Sequence, residues 1–170
     1  GETVLVHGGA SGVGTAAIQM AKITRNPIIV TASTNEKITR CTELGAALAV
    51  NYKQESFVDH IHSYTNGSGV DVIVDTVGAA YLKQNLQLLK PQGRLVSIGL
   101  LSGGRTEINL GVLMSRRLRV IGSVLRSRSL DEKIEIVRKF MDVFWPHILK
   151  GNLRPIIDSV YPISQVHAAH

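Results

Sequence analysis

Seven residues near the amino terminus, Gly8-Gly9-Ala10-Ser11-Gly12-Val13-Gly14, place four glycines and a serine between an apolar run and a helical repeat. Such a stretch can cradle an anion. The first N–H groups of a helix have no partner inside it, the helix dipole favours negative charge, and glycines let the backbone come close to a phosphate. A second group, Thr31-Ala32-Ser33-Thr34-Asn35-Glu36-Lys37, follows about 20 residues later, where dinucleotide-binding folds read the adenosine ribose. No acid closes the strand that leads into it. Ser33 does, with Lys37 one turn on and Arg40 beyond, and a hydroxyl with a cation suits a second phosphate that a carboxylate would repel.

These residues need elements to hold them. Val4-Leu5-Val6 is too apolar to alternate and reads as a strand buried on both faces. Ala16, Ala17, Met20 and Ala21 then repeat at helical spacing, which makes the glycine stretch a strand-to-helix turn. Further along, strands are expected at Pro27 to Ala32, Ala47 to Asn51, Val70 to Thr76, Arg94 to Gly99 and Arg119 to Val124. Helices are expected at Asn35 to Leu44, closed by Gly45, then Ser56 to Thr65, Leu82 to Leu89 before a break at Pro91, and Leu130 to Lys150. This alternation implies an α/β, Rossmann-type doubly wound parallel sheet with helices on both faces. Its ligand belongs beyond the carboxyl ends of the strands, where His7, Ser33, Tyr52, Thr76 and Gly99 fall.

Spacing chooses among nucleotide sites. A triphosphatase loop needs Lys after its last glycine, and Thr15 follows Gly14. The register Gly9-x-Ser11-x-x-Gly14 keeps two of the three dinucleotide-fingerprint glycines. Gly8-x-x-x-Gly12-x-Gly14 resembles the short-chain dehydrogenases, whose Tyr-x-x-x-Lys pair is missing. Four residues after Tyr52, Tyr64, Tyr81 and Tyr161 stand Ser56, Ser68, Asn85 and Gln165. The second-strand residues favour NADPH over NADH. Two alternatives stay open: Lys37 and Arg40 solvate a surface helix, or Glu36 turns inward to the ribose hydroxyls and reverses the preference.

With 170 residues, 44% of them hydrophobic, the chain suffices for one well-buried domain. No membrane-span run or signal region is apparent, so a soluble, cytoplasmic protein is expected. Cys41, the only cysteine, excludes an internal disulfide or a thiolate zinc site.

The stretches "VLVHGGASGVGTAAIQMAK", "TASTNEK", "LGAALAVNYKQE", "GVDVIVDTVG", "GRLVSIGLLSGG" and "RLRVIGSVLRSR" resemble, in order, pieces of the quinone oxidoreductases of the medium-chain dehydrogenase/reductase superfamily, zeta-crystallin-like members. The resemblance implies an NADP(H)-binding Rossmann domain over residues 1–170, excised from an enzyme that begins with a GroES-like catalytic domain and ends with a segment returning to it. By that likeness Ser11 stands in for a glycine of the wider family, and Gly12, Val13 and Gly14 meet the pyrophosphate. Ser33 and Lys37 meet the 2′-phosphate, Tyr52 lies by the adenosine, and Gly78, Gly99, Leu100 and Leu125 line the nicotinamide side. The implied activity is zinc-independent hydride transfer from NADPH to quinones or related electron-poor carbonyls. It implies no catalytic residue in this chain, an inactive fragment, and a homodimer through strand 119–124. An enoyl or alkenal reductase, or a zinc-type alcohol dehydrogenase of the same superfamily, is the enzymic alternative.

Other chemistry is weaker. His60 and His62, two apart, point to different sides of a helix. His7 is expected to be packed and hydrogen-bonded rather than a general base, and Asp75 to bond a neighbouring loop rather than pair with Asp71. Nineteen Lys and Arg against thirteen Asp and Glu give a net charge of +6, gathered at Arg116, Arg117, Arg119, Arg126 and Arg128. An RNA-binding module is the rival on charge, but aromatics are only 5% and no stacking motif accompanies the arginines.

Overall fold

The computed structural model describes residues 1–170. Strands β1 (Val4–His7), β2 (Ile28–Ala32), β3 (Leu48–Asn51), β4 (Val70–Asp75), β5 (Leu89–Ser97) and β6 (Arg119–Gly122) form one sheet in the order β3-β2-β1-β4-β5-β6. Every pair is parallel. The expected doubly wound, Rossmann-type sheet is therefore what forms. The order reverses beside β1, and all six strands deliver their carboxyl ends to one edge.

The helices are α1 (Gly12–Ile23), α2 (Asn35–Leu44), α3 (Phe57–Tyr64), α4 (Leu82–Leu88), α5 (Leu110–Arg116), α6 (Leu130–Leu149) and α7 (Val166–Ala169). Hydroxyl and amide caps start four of them: Ser11 accepts from Gly14 N, Thr34 from Lys37 N, Ser56 from Asp59 N and Asn109 from Val112 N. Ser129 and Glu132 form a reciprocal capping box at the start of α6. Gly45, with φ 121°, closes α2 in a conformation that side chains resist.

Alternate residues of the central strands feed two cores. Leu5, Ile29, Ile73 and Leu95 pack with Phe57, Ile61 and Leu86 beneath α3 and α4. Val6, Ile28 and Val30 pack with Ile18, Ala21 and Cys41 beneath α1 and α2. Each fully buried aliphatic side chain stabilises the fold by about 1.5–3 kcal/mol.

Departures from expectation are few: β6 stops at Gly122, two residues short of the expected Val124, the four-residue α7 was unforeseen, and two others concern β5 and α5. β5 begins at Leu89 rather than Arg94, because Val70 pairs with Leu89 and Val72 with Arg94, so Pro91-Gln92-Gly93 bulge out of the ladder. Proline, having no N–H, is tolerated in such a bulge, and Gln92 takes φ 66° to close it. Helix α5 was unforeseen: at seven residues with none buried, it carries too little periodicity to read. No helix is long and apolar enough to cross a membrane.

Candidate functional site

β1 ends at His7 and the chain turns sharply through Gly8, whose φ is 77°. Gly9 N donates to Thr31 O at 2.8 Å, pinning the turn to β2, and Ser11 N donates to Gly8 O at 2.9 Å. Two glycines are there for space. A Cβ on Gly9 would lie 2.5 Å from Val30 Cβ, and one on Gly14 would lie 2.4 Å from Gly8 O and 2.5 Å from Gly9 O. A Cβ on Gly12, by contrast, would meet nothing within 4 Å. With Ser11 Oγ accepting from Gly14 N at 3.0 Å, Gly12 N and Val13 N are left without a hydrogen bond in the chain. Both residues are exposed, so the first turn of α1 presents two free donors and the positive end of its dipole.

The end of β2 lies beside this turn. Ser33 is half-buried and Lys37 exposed, and no carboxylate pairs with Lys37. Glu36 does not turn inward; its carboxylate lies along α2, 3.6 Å from the Arg40 guanidinium, with both side chains exposed. Buried Asn51 at the end of β3 donates to Asn35 Oδ1 at 2.7 Å, which fixes the start of α2 and hence the root of Lys37. Tyr52 follows, partly exposed, with its ring edge-on to Tyr81 at 6.5 Å between centroids.

Beyond β4, buried Asp75 accepts from Val77 N at 2.7 Å and from Gly78 N at 3.1 Å. Its partners are the loop's amides, and Asp71 sits at the opposite end of the strand, accepting from Lys90 Nζ and Thr3 N. Gly78, with φ 88°, is buried against the next loop: a Cβ there would be 2.7 Å from Gly103 O and 3.1 Å from a Leu100 methyl. A Cβ on Gly99 would lie 2.9 Å from Thr76 O. Gly78, Gly99 and Leu100 therefore meet in one clamp, with the Leu100 side chain exposed above it. Leu125 stands apart, exposed three residues beyond β6.

His7 is fully buried, with Nδ1 3.1 Å from Thr31 Oγ1 and Nε2 2.8 Å from Asn85 Oδ1. Burial pushes its pKa down, against the opposing effects of the Asn85 bond and the Asp75 charge. It is a packed, neutral imidazole with both nitrogens engaged and no open face for a base. His60 pairs with Glu55 at 3.0 Å. Cys41 is buried, which pushes its thiol pKa up. Of the arginines, Arg116 is spent on the Leu86 and Gln87 carbonyls and Arg128 on Glu132. Sequence reading missed Thr31, Asn51 and Asn85. Their only signal was a polar residue at a position whose period points it inward.

A Gly-rich turn from the first parallel strand into α1, at the reversal of strand order, defines a dinucleotide-binding α/β domain. The zinc-binding dehydrogenase family matches residues 12–142, and the chain belongs to it, as the cofactor-binding half of a medium-chain dehydrogenase/reductase. Human quinone oxidoreductase is 33% identical over 173 residues, covering all of this chain and 50% of its own. The chain thus spans about half the length of the curated relatives it matches. The quinone oxidoreductase of Pseudomonas syringae pv. Tomato DC3000 superposes with TM-score 0.83 at 28% identity, covering 99% of this chain and 52% of that one. Escherichia coli quinone oxidoreductase complexed with NADPH gives 0.79 at 30% identity, with 92% and 48% covered. The CurK enoyl reductase gives 0.81 at 29%, with 99% and 50% covered.

Proposed function

We propose that residues 1–170 are the NADPH-binding half of a cytoplasmic, zinc-independent quinone oxidoreductase, a homodimer that reduces quinones or related electron-poor carbonyls. The observation that carries this is the pairing of two free helix-start donors, Gly12 N and Val13 N, with an uncommitted cation, Lys37, in the first turn of α2 just past the neighbouring strand. One matches a pyrophosphate and the other a 2′-phosphate. The solved E. coli relative, complexed with NADPH, supports the same assignment.

In this reading Ser11 holds the turn's shape by capping α1, while Gly12, Val13 and Gly14 bring the backbone against the pyrophosphate. Ser33 and Lys37 receive the 2′-phosphate, and Tyr52 flanks the adenosine. Gly78, Gly99 and Leu100 form an apolar wall on the nicotinamide side, and Leu125, which stands apart from them, is assigned to the same side. Bound NADPH supplies the hydride. The chain's own work is binding and alignment, and such positioning accounts for several kcal/mol of a barrier. No side chain here is assigned a proton transfer, so the acceptor's site belongs to the part of the enzyme beyond this half. The chain alone is therefore expected to bind without turning over. β6, whose outer edge is open, is the strand through which two sheets would join. The likeness to CurK supports an enoyl reductase as the second reading.

Calorimetric titration tests the cofactor assignment. A cation on the 2′-phosphate contributes on the order of 1.5–3 kcal/mol, about tenfold or more in affinity. NADPH should bind correspondingly tighter than NADH, and Lys37→Ala should erase the difference. Equal affinities in the unaltered chain would overturn the reading.

A further inference from the structure

We infer that Thr31, His7 and Asn85 form a hydrogen-bond relay of fixed direction that holds the glycine turn in its phosphate-receiving shape, which makes Thr31 and His7 positioning residues for the dinucleotide. Its functional half rests on the proposed reading of the turn as a pyrophosphate site.

The direction follows from the ends. Gly8 N lies 3.4 Å from Thr31 Oγ1 and can only donate. At the other end Asn85 Oδ1 can only accept, so His7 Nε2, 2.8 Å away, carries the proton. A neutral imidazole then has a bare Nδ1, and the hydroxyl of Thr31, 3.1 Å from it, must donate there. The line runs Gly8 N–H to Thr31, Thr31 to His7, and His7 to Asn85, with each proton used once. A charged imidazolium would set a second donor against Thr31 and break the order. Around the ring stand the edges of Phe57 and Tyr81, with centroids at 5.2 and 4.9 Å, and the Asp75 carboxylate is the one charge that acts on it. Thr76 Oγ1 donates to His7 O at 3.4 Å from the β4 side.

The consequence reaches the ligand face. Engaged by Thr31, the Gly8 amide is turned away from the phosphate side, while Gly8 O receives Ser11 N. Ser11 Oγ in turn takes Gly14 N, and this sequence leaves Gly12 N and Val13 N as the free donors. The relay has a visible cost: Asn85 Nδ2 is buried with no partner.

Thr31→Val keeps the shape of the side chain and removes the hydroxyl, whereas Thr31→Ser keeps the hydroxyl. In the 170-residue chain without ligand, Thr31→Val should speed amide exchange at Gly8, Gly9 and Ser11 about tenfold relative to Leu95, with Thr31→Ser within about twofold of the parent. Long-range ¹⁵N–¹H spectra should show His7 protonated at Nε2. NADPH should bind Thr31→Val about tenfold more weakly and Thr31→Ser normally, while adenosine 2′-phosphate, which lacks the pyrophosphate, binds all three alike. An Nδ1-protonated His7, or a Thr31→Val chain whose turn exchanges and binds NADPH as the parent does, overturns the relay. If Thr31→Val does not fold, the tautomer and the Thr31→Ser titration decide it. Failure of the parent itself to bind NADPH would sink the cofactor reading, and exchange and tautomer would still judge the relay.

Discussion

The chain up to Ser97 and the chain from Leu100 onward obey different rules. In the first stretch the strands and α1–α4 bury nearly everything apolar, and Val13, Tyr52, Tyr64 and Ile98 are the large hydrophobic residues left exposed before Leu100. In the second, Leu153 is the one buried residue, and Leu130, Ile134, Val137 and Met141 make an exposed stripe along α6. Helix α6 is nevertheless well started by its capping box and spans twenty residues. The difference teaches that local signals suffice to form a helix while burial, the larger stabilising term, needs a second surface. Everything assigned to phosphate recognition lies in the buried stretch, where a rigid frame can hold donors in place.

The largest expected effect tests that contrast directly. Ile73→Ala in the inner core should cost about 2–5 kcal/mol in denaturant unfolding, whereas Val137→Ala on α6 should stay within about 0.5 kcal/mol. Equal losses would show that α6 is as firmly packed as the sheet. Within the first region, Gly14→Ala should destabilise by about 1–3 kcal/mol, because its Cβ would lie against Gly8 O and Gly9 O. Gly12→Ala, in open space, should leave the melting temperature unchanged, and a matching loss there would mean that the turn is closed from above.

Besides the β5–β6 ladder, a side-chain clamp ties the two regions together. Buried Gln19 on α1 donates through Nε2 to Arg154 O and accepts Arg154 N on Oε1, each at 3.0 Å. Gln19→Leu should cost about 1 kcal/mol and speed amide exchange at Leu153 and Arg154 while leaving Leu5 and Ile73 protected. Uniformly faster exchange would make the clamp part of the core.

The smallest effect concerns pH. Burial works against the Asp71 charge, but the hydrogen bonds from Lys90 and Thr3 N, with the Lys90 charge, outweigh it and hold its carboxyl below the usual range. A lowered folded pKa contributes stability above the unfolded value that fades as pH falls through the folded one. Asp71→Asn should therefore lose at most about 1 kcal/mol at neutral pH and flatten the stability profile below pH about 4. An unchanged acid limb would remove Asp71 from the account.

Much of this molecule is legible along the chain. The bounds of α2, Asn35 to Leu44, fall where its cap, period and closing glycine place them, and the strand–turn–helix from Val4 to Ile23 follows from composition and spacing. These signals are local: a cap reaches three residues, a helical face repeats every three or four, and a buried parallel strand is uniformly apolar. The bulge at Pro91 and the seven residues of α5 escaped that reading because neighbours set them rather than period. Only the folded chain decided that Glu36 turns to Arg40 and leaves Lys37 free, that Asn51 anchors Asn35, and that Asn85 meets His7 across 78 residues of sequence. A hydrogen bond depends on two groups converging in space, and the one-dimensional pattern records only which way each of them points.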